Sequence, residues 1–272
     1  MFAALPEEEK GVLRTTCFTP LLLIDPIATM LTLVVKIFDR HLGDMKFQFR
    51  EMIIQMKPIH VCLIFGLRVS PIANEFFSAN PEHMTNFRRR RFPKKKNTYG
   101  LKEIDDALKQ AKLERHQEDV LRLNLLKIIL FVLLPNKGRN VWVKYVDLVD
   151  DLKQFSRFPW CEQVYNFLWR QIMEFDKYRS AADKKLNKAL SLHGYTWVLM
   201  IWTILSIPSL KFPRIEESIH LIPKLQGWRM TSFKRRQIVT FKKIFANPDL
   251  LVIVIKPTET NMQQDLVQES MV

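Results

Sequence analysis

The residues most able to do chemistry in this chain are six histidines (41, 60, 83, 116, 193 and 220) and three cysteines (17, 62 and 161). A zinc hydrolase needs two His a helical turn apart, and no HxxxH or HExxH pair occurs here. His60 and Cys62 come nearest to a nucleophile with its base. Residues two apart on a helix face different ways, however, and a cysteine among apolar neighbours is ordinarily a small buried hydrophobe. The three cysteines are too widely spaced for a disulfide framework or a metal knuckle, which points to a reducing compartment. Asp105-Asp106 and Asp150-Asp151 are paired carboxylates in charge-mixed helical surroundings, and we read them as solvated faces. With seven glycines there is neither GxxxxGK nor GxGxxG to cradle a phosphate. The six tryptophans (142, 160, 169, 197, 202 and 228) could stack on bases, but their apolar neighbours suit core positions. No cofactor, metal or catalytic residue is expected.

Charge is the stronger signal. The chain carries 42 Lys+Arg against 28 Asp+Glu, a net +14, and two acid-free segments account for the whole excess. Residues 88–96 hold seven cations: Arg88, Arg89, Arg90, Arg91, Lys94, Lys95 and Lys96. Residues 218–248 hold seven more, among apolar residues such as Ile238, Val239, Phe241 and Ile244. Clustered cations attract polyanions where diffuse ones do not. Pro93 disfavours helix in the residue before it, so we expect the first run to be extended and accessible. Its expected partners are a nuclear import receptor or nucleic acid bound without base readout. The expected location is therefore the nucleus, or failing that the cytoplasm.

The opening Met-Phe-Ala-Ala-Leu-Pro-Glu-Glu-Glu is acidic where a secretory signal carries cations. Residues 189–210 contain no Asp, Glu, Lys or Arg and are long enough for a membrane span. His193, Thr196, Thr203, Ser206, Pro208 and Ser209 interrupt them, and the two tryptophans lie inside rather than at the edges. A buried helix is the expectation, with a membrane anchor as its rival.

The elements that would position these groups are mainly helical. Apolar residues recur at helical spacing from Ile27 to about His41, and Phe47 to Met56 reads as a β-hairpin. Pro58 opens a helix that Gly66 closes. Residues 68–100 lose periodicity and read as a long basic loop. Leu101, Ile104, Leu108 and Ala111 mark an amphipathic helix, and Val120–Leu134 is apolar all round, as a central helix would be. Val141–Leu152 fits either strand or helix. Pro159-Trp160 breaks the chain before a helix carrying Val164, Phe167, Leu168, Ile172 and Phe175. Residues 178–190 connect to an apolar helix around Trp197 and Trp202, and Leu250–Ile255 reads as one late strand. The expected architecture is a compact, mainly α domain with a minor β-hairpin and that late strand. Its expected divisions are a tail at 1–14, a single domain at 15–228, a basic extension at 229–256 and a disordered tail at 257–272.

Several landmarks occur in a telling order: Thr16-Cys17-Phe18, Ile64-Phe65-Gly66-Leu67, Val149-Asp150-Asp151-Leu152, Phe158-Pro159-Trp160, Leu192-His193-Gly194-Tyr195, Ile201-Trp202, Ile207-Pro208 and Pro223 to Trp228. This order resembles the plant-specific domain of unknown function found ahead of a SUMO-protease-like domain in transposon-derived proteins. More distantly it is similar to the aminotransferase-like plant mobile domain. Thr19, Phe65, Cys161 and Ser206 depart from the usual pattern. The resemblance implies a non-enzymatic accessory binding module, since no protease His…Asp…Gln…Cys signature follows residue 228 and the family has no established catalytic residues. A remnant of a SUMO-protease-family protein is the alternative. Phe18, Trp160 and Trp202 are then framework anchors, each contributing roughly 2–3 kcal/mol by burial.

Overall fold

The computed structural model describes residues 7–14, 16–19, 21, 37, 40–67, 84–136, 138–181, 196–208, 243–247 and 249–256, with side chains between 175 and 197 excluded. In chain order the elements are α1 (Glu7–Leu13), β1 (His41–Gly43), β2 (Lys46–Phe49), β3 (Met52–Gln55), α2 (Pro58–Phe65), α3 (Asn86–Arg91), β4 (Thr98–Gly100), α4 (Leu101–Leu113) and α5 (Gln117–Ile128). A π-helical turn (Ile129–Leu133) extends α5, followed by β5 (Asn140–Trp142), α6 (Val143–Leu148), α7 (Leu152–Arg157), α8 (Trp160–Ala181) and α9 (Thr196–Ser206). The fold is mainly α with small antiparallel sheets, as the periodicities predict.

α2 shows how local chemistry sets an element. Pro58 occupies its first turn, where a missing N–H costs nothing. Gly66 ends it at φ 69°, a left-handed conformation that a Cβ would strain, and its N–H bonds the Cys62 carbonyl at 2.7 Å. The six residues His60–Phe65 are all buried, because α8 and α9 both pack against this helix. The hairpin gains a third strand, in the order β1-β2-β3, with Phe47 opposite Ile54 and Phe49 opposite Met52. Alternation turns Phe47 and Phe49 inward, and Phe47 meets the buried Trp202 ring of α9 at 5.2 Å.

α4 and α5 form an antiparallel pair at the centre, and α1 packs on α5 with Leu13 buried. The expected tail at 1–14 thus contains a packed helix. Val141–Leu152, ambiguous in sequence, divides between both forms: Val141 pairs with Tyr99 in the β4–β5 ladder, and the chain turns helical at Val143. Two further expectations need correction. The loop expected over 68–100 contains α3 and β4 within its described part. The late strand at 250–255 does not form among the described residues. Val252 is buried there, and Ile253 N–H bonds the Ser206 carbonyl at 2.8 Å. Most of the helix expected from Ile27 to about His41, the connector after 181, most of the second basic segment and the tail after 256 lie outside the described residues; His41 itself opens β1.

All three framework anchors are buried: Phe18 at 0 %, Trp160 at 2 % and Trp202 at 1 % exposure. Trp160 opens α8 and its indole N–H donates to the Phe155 carbonyl at 3.0 Å. Its ring neighbours are Phe18, Tyr145, Phe155 and Phe158, so it joins the N-terminal segment to α6, α7 and α8.

His60 is a buried histidine on α2. Its Nδ1 accepts the Lys57 N–H at 2.9 Å, and burial pushes its pKa down to about 4, opposed by a hydrogen bond to the Ile255 backbone. The unfolded chain therefore binds a proton more readily than the folded one between about pH 6.5 and pH 4. Stability is full above that window and falls on acidification through it, by about 3 kcal/mol. Urea titrations from pH 7.5 to 4 should show this loss, and His60→Gln should flatten it. An unchanged slope in that variant would remove His60 as the cause.

Candidate functional site

The basic run is where the sequence points, and its backbone is neither extended nor uniformly accessible. Thr85 Oγ caps α3 by accepting the Arg88 N–H at 3.2 Å, so the four arginines wind into a helix of six residues. Gathered in the last turn, they also complement the negative end of the helix dipole. Phe92, expected at a chain break, is buried beside Phe87 and stacks at 4.6 Å against Tyr99 of β4. The run is pinned at both ends by aromatic rings.

Winding sorts the seven cations. Arg88 is buried; its Nε donates to the Tyr99 hydroxyl at 3.3 Å and its Nη1 meets Asp147 Oδ2 at 3.3 Å. Tyr99 in turn donates to the Lys94 carbonyl at 2.8 Å, closing the run on itself. Arg90 makes a forked contact with Asp119, Nη2 to Oδ1 at 2.9 Å and Nε to Oδ2 at 3.1 Å. Arg91, whose side chain is 4 % exposed, reaches Asp119 Oδ2 at 2.7 Å and Glu114 at 2.6 Å. Lys96 pairs with Glu103 at 2.7 Å. Arg89, Lys94 and Lys95 are exposed and form no ion pair among the described residues.

Asp119, in the first turn of α5, is the hub of this network, and its side chain is fully buried. Burial alone would raise its pKa, but hydrogen bonds and charge from Arg90 and Arg91 outweigh that and hold it below the ordinary carboxylate range. Arg122, one turn along, reaches Glu118 at 3.1 Å, Asp119 at 3.5 Å and Asp150 at 3.4 Å. Asp150 also accepts the Phe87 N–H at 3.4 Å. It is therefore part of the clamp, where the sequence suggested a solvated face. Asp105 takes Lys127 at 2.9 Å. Asp119, Glu114, Asp147 and Arg122 are the members that sequence reasoning missed. Only the Glu118/Asp119-to-Arg122 spacing, three and four residues on one helix, was visible in advance.

The thiols are arranged for packing. Cys161 Sγ donates to the Leu67 carbonyl at 3.3 Å, and burial, reinforced by a hydrogen bond with Cys62, pushes its thiol well above the ordinary range. All three cysteines are free thiols. A thiol held protonated is a poor nucleophile. Among the described residues no His, Cys, Asp and Glu cluster forms a metal site, and no helix is long and apolar enough to cross a membrane. Residues 196–206 of the apolar stretch form α9, with Trp202 in the core.

The profile of a family described as "Domain of unknown function (DUF8566)" matches residues 1–200. The chain belongs to this family. That match takes in α1 to α8, the whole arginine clamp and part of α9. No curated protein and no solved structure matches the chain.

Proposed function

We propose that this DUF8566 chain is a non-enzymatic accessory binding domain of a transposon-derived plant protein, acting in the nucleus and touching nucleic acid without sequence preference. The order of landmarks from Thr16 to Trp228, similar to that of the domain found ahead of SUMO-protease-like modules, supports the transposon origin. A remnant of such a protein without its protease is the companion reading, resting on the same order of landmarks. The observation that carries the binding role is the sorting of the basic run. Arg88, Arg90 and Arg91 are tied into the fold, and they hold Arg89, Lys94 and Lys95 out to solvent. Those three, with Lys96 at the margin, are what a polyanion or an import receptor can reach.

Each phosphate contact to duplex DNA steepens the log K against log salt plot by about 0.9. Arg89→Ala/Lys94→Ala/Lys95→Ala should therefore make that plot shallower by about 2.7 units, measured by fluorescence anisotropy with a random-sequence duplex. The variant should keep the parent's thermal midpoint. The same triple substitution should reduce nuclear accumulation of a large reporter fusion. An unchanged salt slope would detach nucleic acid from this run, and unchanged import would detach the receptor.

A further inference from the structure

A second site lies away from the clamp, where the π-helical turn leaves α5. The turn is closed by the Leu134 N–H bonding the Ile129 carbonyl at 2.7 Å, five residues back. Such turns widen a helix locally and recur at functional sites. Here the turn, β5, the start of α6 and one face of α8 enclose a cavity of about 840 Å³, within the size range of small-molecule sites. Ile129, Leu130 and Phe167 give it an apolar lining, and Trp142, 58 % exposed, lines it as well. The sequence suggested that Trp142 was core, and it is the most exposed tryptophan described.

The polar groups of the wall are unevenly charged. Lys144 and Arg170 come from different elements and lie close enough for the Arg170 charge to act on Lys144. Burial, with that repulsion added, lowers the Lys144 pKa. Arg170 donates through Nε to the Asn166 carbonyl at 3.4 Å and forms no ion pair among the described residues, although Glu174 stands one turn away on α8. Glu174 accepts instead from Gln171 at 3.4 Å. The Lys144 ammonium also sits over the Tyr145 ring at 4.9 Å, so the wall offers two cationic donors from different elements beside one carboxylate, Glu174.

We propose that this cavity binds a small amphipathic anion, its flat apolar body lying between the π-helical turn, Phe167 and Trp142, and its single carboxylate, sulfonate or phosphate meeting Lys144 and Arg170. The site is independent of the polyanion surface, because neither Lys144 nor Arg170 belongs to the basic run.

The test uses the full chain and two fluorescent probes of one shape, anilinonaphthalene sulfonate and its uncharged parent phenylnaphthylamine. The sulfonate should bind with a stoichiometry of one and at least about tenfold tighter than the neutral probe. Arg170→Gln alone should remove most of that preference, and adding Lys144→Gln should abolish it. Arg170 is exposed, so the single variant reports even where the half-buried lysine cannot be replaced without unfolding. Equal affinities for the two probes, several weak sulfonate sites per chain, or a preference that survives Arg170→Gln would each overturn the proposal.

Discussion

Asp119→Ala is expected to destabilise the protein by about 3–5 kcal/mol, enough to unfold a domain of ordinary stability. The effect does not come from losing an attractive pair, since replacing a whole buried ion pair by apolar groups is often neutral. It comes from the side left behind. Arg91 is almost fully enclosed and would keep only Glu114, whose own side chain is 44 % exposed. Arg90 and Arg122 lose a shared acceptor at the same time. Urea denaturation at pH 7 measures the loss. Asp119→Asn keeps the shape and one acceptor oxygen, and should fall between parent and Ala. A cost below 1 kcal/mol for Asp119→Ala would mean that water reaches the arginines and that the clamp is loose.

The clamp also dictates how the basic run can be studied. Replacing all seven cations with alanine would remove Arg88 from Asp147 and Tyr99, and Arg90 and Arg91 from Asp119, stranding buried carboxylates instead of buried cations. Loss of nuclear or DNA binding in that variant would report unfolding. Among the described residues, Arg89, Lys94 and Lys95 are the cations of the run that can be removed without touching an ion pair. pH separates the two stabilising devices further. The depressed pKa of Asp119 makes its contribution full above the ordinary aspartate value of 3.8 and lost as pH falls below it. The His60 loss is by then almost complete.

Much of the framework was legible because it is written in local chemistry. Pro58 and Gly66 bound α2 in the sequence as they do in space. The spacing of Leu101, Ile104, Leu108 and Ala111 predicts α4, where the last three are buried and Leu101 packs at the edge. The arginine run was misread for the opposite reason: its partners are distant. Asp119 is 29 positions from Arg90, and Asp147 is 59 from Arg88. No periodicity links such residues, and a string of arginines looks the same whether water or buried carboxylates will receive it. The late strand failed similarly. Leu250–Ile255 has the β-branched content of a strand, but a strand needs a neighbour to pair with, and among the described residues this segment obtains a single bond to Ser206 and one to His60. The cavity was invisible because its walls come from β5, α6, α8 and the π-helical turn, and only tertiary packing gathers them.

Trp160→Ala is expected to cost about 3–5 kcal/mol, comparable to the loss at Asp119 but different in kind. The ring is the meeting point of four others: Phe158 at 4.7 Å, Phe155 at 5.1 Å, Phe18 at 5.2 Å and Tyr145 at 5.9 Å. Truncation leaves a cavity walled by rings that cannot collapse into it, because Phe155 and Phe158 are fixed by α7 and the turn before Pro159. It also frees the Phe155 carbonyl, which accepts the indole N–H at 3.0 Å. Trp160→Phe separates the two contributions, since it keeps most of the volume and loses the donor; about 1–2 kcal/mol is expected for it. Being apolar, the Trp160 loss should hardly change between pH 7 and pH 5 and should persist in high salt, whereas the loss at Asp119 should shrink as salt screens the stranded guanidinium groups. Chemical denaturation at two salt concentrations makes the comparison. Equal salt sensitivity in the two variants would show that Trp160 acts through the charged clamp after all, and a Trp160→Ala cost under 1 kcal/mol would take it out of the core.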